Sequence, residues 1–137
     1  RPSRAPACQL GRGRGRPDRH ARHQGGDGRD AGLLELDFRV AGECELAFFG
    51  IDEPVLGKGA GRWLMNRALE LAWAAPIRRF WVHTCTLDSP AALGFYIKSG
   101  FTPYGREIET FADPRLLGLL PPEAAPQIPM FGQPADA

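Results

Sequence analysis

A break near residue 32 divides this chain into two stretches of opposite character. Residues 1–32 carry eight Arg and three Asp with no Lys or Glu, a net charge of +5, and Leu10 is their only large aliphatic residue. Residues 33–137 carry nine Lys+Arg against 13 Asp+Glu, a net of −4. So little apolar surface cannot offset the entropy of ordering, and residues 1–32 are expected to form a disordered Arg/Gly-rich arm. That leaves roughly 100 residues for a single domain, residues 33–131, with residues 132–137 as a tail. Arg14-Gly15-Arg16-Pro17 matches the core of an AT-hook, in which Arg enters a narrow minor groove. Four residues inside an Arg/Gly-rich stretch match cheaply, so nucleic-acid binding is disfavoured. The competing reading is a non-native boundary of the kind that out-of-frame translation of GC-rich sequence yields.

No apolar run approaches the 18 residues of a membrane span, and no apolar stretch follows the basic start as in a secretory signal. Cys8, Cys44 and Cys85 are widely spaced and odd in number, against a disulfide scaffold and for a reducing, cytoplasmic setting.

From Gly32 the periodicities change. Leu34, Leu36 and Phe38 alternate with Glu35, Asp37 and Arg39, a strand pattern. Ala41-Gly42 is a turn, and a second strand runs through Cys44, Leu46 and Phe48 to Ile51, with Glu43 and Glu45 on its opposite face. A glycine loop then opens a helix with the stripe Leu64, Ala68, Leu71 and Ala72, ended by Pro76. Arg79–Thr86 has the aromatic and β-branched density of a central strand. Asp88 and Ser89 are N-cap candidates before Pro90, and Gly100 stops a second helix. Phe101–Phe111 suggests one or two strands around Gly105, and the Pro-rich tail an extended wrapper. The expected order is β-β-α-β-α-β-β, an α+β fold.

Gly57-Lys58-Gly59-Ala60-Gly61 lies between a strand and a helix, where the first-turn amides face whatever sits above them and favour a phosphate. The loop lacks the G-K-[ST] of a P-loop and the full six-residue dinucleotide fingerprint, and its strand belongs to a hairpin. The plain structural alternative is a tight strand-to-helix turn. His83 and Cys85 share one face of the expected strand, but residues at i and i+2 diverge too far for a nucleophilic dyad. As zinc ligands they lack two partners. Cys85 is read as core, His83 as lining a cleft or as a core histidine, and Trp63, Trp73 and Trp81 as packing residues.

Two blocks in order make the chain resemble the GNAT superfamily of acetyl-CoA-dependent N-acetyltransferases over about residues 32–131. The first is Leu56-Gly57-Lys58-Gly59-Ala60-Gly61, similar to R/Q-G-x-G-x-G/A with Leu56 in place of Arg or Gln. The second is Ser89-Pro90-Ala91-Ala92-Leu93-Gly94-Phe95-Tyr96-Ile97-Lys98-Ser99-Gly100-Phe101, similar to N-x-x-A-x-x-(apolar)-Y-x-x-x-G-F with Ser89 in place of Asn.

The resemblance implies a three-layer α/β/α arrangement around a mixed, mostly antiparallel sheet. It implies that acetyl-CoA is the cosubstrate, with no metal. The pyrophosphate would lie on Gly57, Lys58, Gly59, Ala60 and Gly61, with Lys58 or Arg62 adding charge. The pantetheine would lie along the strand that carries Phe49 and Ile51, and Ser89 falls at the family's Asn position. Tyr96 matches the general acid near the sulfur. Glu45, with Glu43 two residues back, is the candidate base acting through water on a primary amine. A solvent-facing role for both glutamates stays open, as does a homodimer. The family also begins with a strand, two helices and a second strand before the hairpin, and residues 1–32 stand in their place. A CoA-binding fragment with little or no activity, or a nucleic-acid binder acting through the arm, are the alternatives.

Overall fold

A computed structural model describes residues 19–24, as backbone, and residues 29–132. The chain divides into two compact units, one within residues 11–83 and one formed mainly by residues 84–137.

The first unit is a four-stranded mixed sheet with one helix on it. Strands β1 (Arg19–Gln24), β2 (Asp30–Asp37), β3 (Glu43–Ile51) and β4 (Arg79–Trp81) lie in that spatial order. The β1–β2 and β2–β3 pairs are antiparallel, and β3–β4 is parallel. The expected hairpin is β2–β3. Its turn closes with Glu43 N–H donating to the Val40 carbonyl at 3.0 Å, and Gly42 takes φ 76°, a left-handed conformation that favours glycine. A parallel pair needs a crossover, and helix α1 (Ala60–Trp73) supplies it.

Gly32 marks the face that α1 covers. A Cβ there would come within 3.3 Å of the Leu64 side chain and 2.9 Å of Ile51. By the two-residue period Leu34 and Leu36 share that face, and so does Leu46, the partner of Leu36. Together with Cys44 they bury against Leu64, Met65, Ala68 and Ala72, the stripe expected for this helix except that Met65 is buried and Leu71 only half-buried. The alanines let the helix approach the sheet closely.

One irregularity in β3 changes the expected facing. Leu36 pairs with Leu46 and Glu35 with Phe48, which leaves Ala47 without a partner, a β-bulge. The alternation restarts beyond it. Phe49, opposite Leu34, joins the α1 face, while Phe48 turns to the other face and is 45% exposed. The expectation that Phe48 continues the core row is therefore corrected.

Three further expectations change. Residues 1–32 are not uniformly without order: β1 forms six pairs with β2, and Ala31 is buried. Backbone hydrogen bonding to an apolar neighbour orders a segment whose own side chains could not. The strand preceding the hairpin is thus present, while the expectation for residues 1–18 and 25–28 lies outside the described residues. The strand expected over Arg79–Thr86 is only Arg79–Trp81, and it lies at the sheet's edge rather than its centre. Its last pair, Glu45↔Trp81, comes just before the bulge, where β3 bends. Trp63 and Trp73 are about half exposed, and only Trp81 is buried.

The second unit holds helix α2 (Ala92–Lys98). It starts two residues later than expected, because Asp88 caps the turn before it: its carboxylate accepts from Thr84 Oγ1 at 2.7 Å and from Cys85 N–H at 2.9 Å. Ser89 Oγ accepts from Ala91 N–H at 3.3 Å. Cys85 is half-buried in this turn rather than in a core. Residues 101–113 form no strand; Pro103 lacks a donor, and residues 102–112 are all exposed, so pairing would bury nothing.

The proline-rich segment is a series of turns around Arg115 rather than an extended wrapper. The Arg115 side chain, 3% exposed, donates from Nη1 to the carbonyls of Ala124 (3.1 Å), Ala125 (3.3 Å) and Ile128 (3.0 Å). Asp113 holds its other edge at 2.6 Å. Residues 133–137 lie outside the described residues.

That pair sets a pH dependence. The hydrogen bond from the Arg115 side chain holds the Asp113 carboxyl below its ordinary range. A lowered folded pKa stabilises above the unfolded value and is lost as pH falls through the folded one. Acidification below about pH 4 is expected to release the Ala124 and Ile128 turns, read as lost amide protection at residues 115–128 while α1 keeps its own.

Candidate active site

The glycine loop takes the form that its composition suggests. A helical turn, Glu53–Val55, leads to Leu56, and Gly57 and Gly59 adopt φ 71° and 87°, left-handed values that side chains resist. Gly59 is the N-cap of α1, and no heavy atom lies within 4 Å of where its Cβ would stand. The first i→i−4 bond of the helix is Trp63 N–H to the Gly59 carbonyl, 2.9 Å, so the amides of Ala60, Gly61 and Arg62 precede it. The first turn contains no acidic residue, and Lys58 and Arg62 are exposed. An anion above this end meets the positive end of the helix dipole and two cations. Of the amides expected to serve, that of Lys58 is already engaged with the Val55 carbonyl at 3.3 Å. Ala60 is buried, Gly61 half-buried and Leu56 exposed.

An open cleft of about 400 Å³ lies at the end of β2 and β3, lined by Asp30, Gly32, Leu33, Phe48, Gly50, Ile51 and Asp52. Ile51 and Phe48 reach this lining from opposite faces of β3, and Phe49, which faces α1, is not part of it.

Opposite α1, the sheet carries charge. Asp37 and Glu45 are cross-strand partners, as are Glu43 and Arg79 on β3 and β4. Asp37 is paired with the Arg39 side chain and accepts its N–H at 2.8 Å. Arg79 lies 3.5 Å from Glu43 and stacks over Trp81 at 5.9 Å. His83, two residues beyond β4, bonds through Nδ1 to Glu45 Oε1 at 2.7 Å, with its ring 6.0 Å from that of Trp81. Beyond Trp81 the chain leaves the strand, so His83 and Cys85 do not share a strand face. Among the described residues no three His, Cys, Asp or Glu gather as metal ligands, and no helix is long and apolar enough to cross a membrane.

In the second unit Tyr96 is half-buried between Phe95 and Phe101, with edge-on ring contacts at 5.8 and 6.0 Å. The end of α2 explains the sequence around it. Phe101 N–H bonds the Tyr96 carbonyl at 3.1 Å and Gly100 N–H that of Ile97 at 3.0 Å, with Gly100 at φ 99°. This is a Schellman closure, and the Tyr96–Phe101 ring contact is its apolar clasp. Burial, and then the nearby Asp88 charge, push the Tyr96 hydroxyl up to about 12. Ser89 is exposed, before α2.

Tyr96 is therefore protonated throughout the neutral range. The difference in ultraviolet titration between the native chain and Tyr96→Phe should show one phenol ionising near pH 12. Gly100→Ala should cost about 1 kcal/mol in denaturant unfolding and lower that pH by loosening the clasp.

A family model described as the acetyltransferase (GNAT) family matches residues 18–101. The match begins within the arm, at β1, and ends at Phe101 rather than near residue 131. Solved structures share the fold. A candidate acetyl transferase from Pyrococcus furiosus is 15% identical with a TM-score of 0.59, covering 70% of this chain and 66% of that one. A candidate acetyltransferase from Agrobacterium tumefaciens is 24% identical, TM-score 0.55, covering 65% and 62%. The glucosamine-6-phosphate N-acetyltransferase of Arabidopsis thaliana is 14% identical, TM-score 0.52, covering 66% and 63%. The chain spans just under two thirds of the length of these proteins, and the likeness is one of fold. Comparison with curated proteins gave no match. With β1, the hairpin, the glycine loop and both helices inside the matched residues, this chain belongs to the GNAT acetyltransferase family.

Proposed function

We propose that the chain transfers an acetyl group from acetyl-CoA to a primary amine by direct attack within a ternary complex. The observation that carries this reading is the loop at the start of α1. Two left-handed glycines present an unobstructed helix N-terminus with Lys58 and Arg62 exposed and no acid in the first turn. Its chemistry fits a pyrophosphate bound through main-chain amides, for which the loss of Arg at Leu56 matters little. β3 and β4 pair no further than Glu45↔Trp81, and the bulge follows. That opening suits an extended pantetheine running toward Ile51.

The remaining roles follow from acyl-transfer chemistry. The attacking amine must lose its proton, and Glu45 takes it through water. The new N–C bond forms as the C–S bond breaks, and the departing sulfur meets the Tyr96 hydroxyl. With its proton held up to about pH 12, Tyr96 is always a donor at neutral pH. Cys44 and Cys85 are not joined in a disulfide, in keeping with a cytoplasmic setting.

Calorimetry with acetyl-CoA and a thiol-release assay over spermidine, a lysine peptide and an aminosugar test this. Gly59→Ala strains the loop by about 1–2 kcal/mol and should weaken binding. Arg62→Glu suits a helix first turn, so the fold should hold while affinity falls at least about tenfold. Tyr96→Phe should lower turnover by about 10- to 1000-fold with binding little changed. Absence of acetyl-CoA binding, no turnover with any amine, or acetyl trapped on Cys85 would overturn the reading.

A further inference from the structure

The face of the sheet opposite α1 pairs each of three carboxylates with a different partner, and one of those partners is out of pattern. Arg39 takes Asp37 and Arg79 takes Glu43, while Glu45 is held by an imidazole. Glu45 and Asp37 are cross-strand neighbours, and like charges so placed repel. Both are largely enclosed, their side chains 13% and 8% exposed. Without a donor on it, the Glu45 carboxylate would swing away from Asp37 about its three torsions. His83 supplies a donor at 2.7 Å, and its ring rests near Trp81, which is buried.

Resting on the reading of Glu45 as base, we infer that His83 is a positioning residue of the acyl transfer. Its Nδ1–H holds Glu45 Oε1 and so fixes the carboxylate that receives the amine's proton. That proton passes from the amine through water to Glu45; His83 transfers none. The imidazole is required as a fixed donor. A base misplaced by about 1 Å loses about 100-fold in rate, which is the size of effect such a contact can control. Nδ1 being the bonded nitrogen makes the chemistry specific. An asparagine amide reaches about where Nδ1–H stands, whereas a glutamine amide reaches toward Nε2.

The test uses the full chain and whichever amine the thiol-release assay identifies. His83→Ala and His83→Gln should lower kcat by about 10- to 100-fold, with KM for acetyl-CoA unchanged. His83→Asn, which carries an N–H and cannot titrate, should stay within about threefold of the native rate. Glu45→Gln with His83→Ala should be no slower than Glu45→Gln alone, since both remove one arrangement. Nitrogen-15 NMR of the neutral ring should report the Nδ1–H tautomer in the native chain and its loss in Glu45→Gln, a readout independent of turnover. If His83→Asn is as slow as His83→Ala, or the double variant is multiplicatively slower, or the neutral ring carries its proton on Nε2, the inference fails. If Glu45→Gln itself turns over normally, the assignment of the base fails, which is a different result.

Discussion

β3 has to serve two masters, and one surplus residue lets it. Its first half sends Cys44 and Leu46 into the core beneath α1 and Glu43 and Glu45 to the opposite face. Its second half must still send an apolar side chain under α1 while opening a cleft at its end. Strict alternation would continue with Phe48 inward. Ala47 breaks the count, so Phe49 packs inward and Phe48 outward, and the bend it imposes ends the pairing with β4. The position of the cleft, the short β4 and the placing of His83 beyond that strand all follow from this one bulge.

The opposite face is organised by charge rather than by packing. Ion pairs whose cation is open to solvent contribute little to stability, and Arg39 is 69% and Arg79 44% exposed. Their worth lies in arrangement. Each arginine occupies one carboxylate, so a row of like charges becomes a row of separately addressed groups. Trp81, buried among them, is the apolar surface against which Arg79 and His83 settle. A sheet face with the same residues but without that tryptophan would leave both side chains free to choose other partners.

Much of this architecture is legible in the residues. The β2–β3 hairpin, α1 with its stripe and α2 with its Gly100 stop follow from local periodicity and turn chemistry, which need no knowledge of distant contacts. The two glycine-bearing blocks point to the family because three of their glycines answer a backbone requirement, left-handed φ at Gly57, Gly59 and Gly100. What was not legible depends on pairing. β1 has no apolar pattern and exists because β2 offers it a ladder. The bulge at Ala47 appears only when two strands are counted against each other. The His83–Glu45 contact joins β3 to the loop beyond β4, and spacing along the chain holds no trace of it. The turns around Arg115 escaped notice because a buried guanidinium satisfying three carbonyls leaves no periodic signature.

That guanidinium has a thermal consequence. Among the described residues from Thr84 onward no apolar side chain is buried, and Arg115 alone is. The heat-capacity change of unfolding comes from apolar surface exposed to water, and polar exposure subtracts from it. The Arg115 segment therefore melts with a smaller heat-capacity increment for its size than the sheet, and its stability curves less with temperature. The sheet beneath α1, built on leucines, follows the more strongly curved dependence of a hydrophobic core and weakens again in the cold.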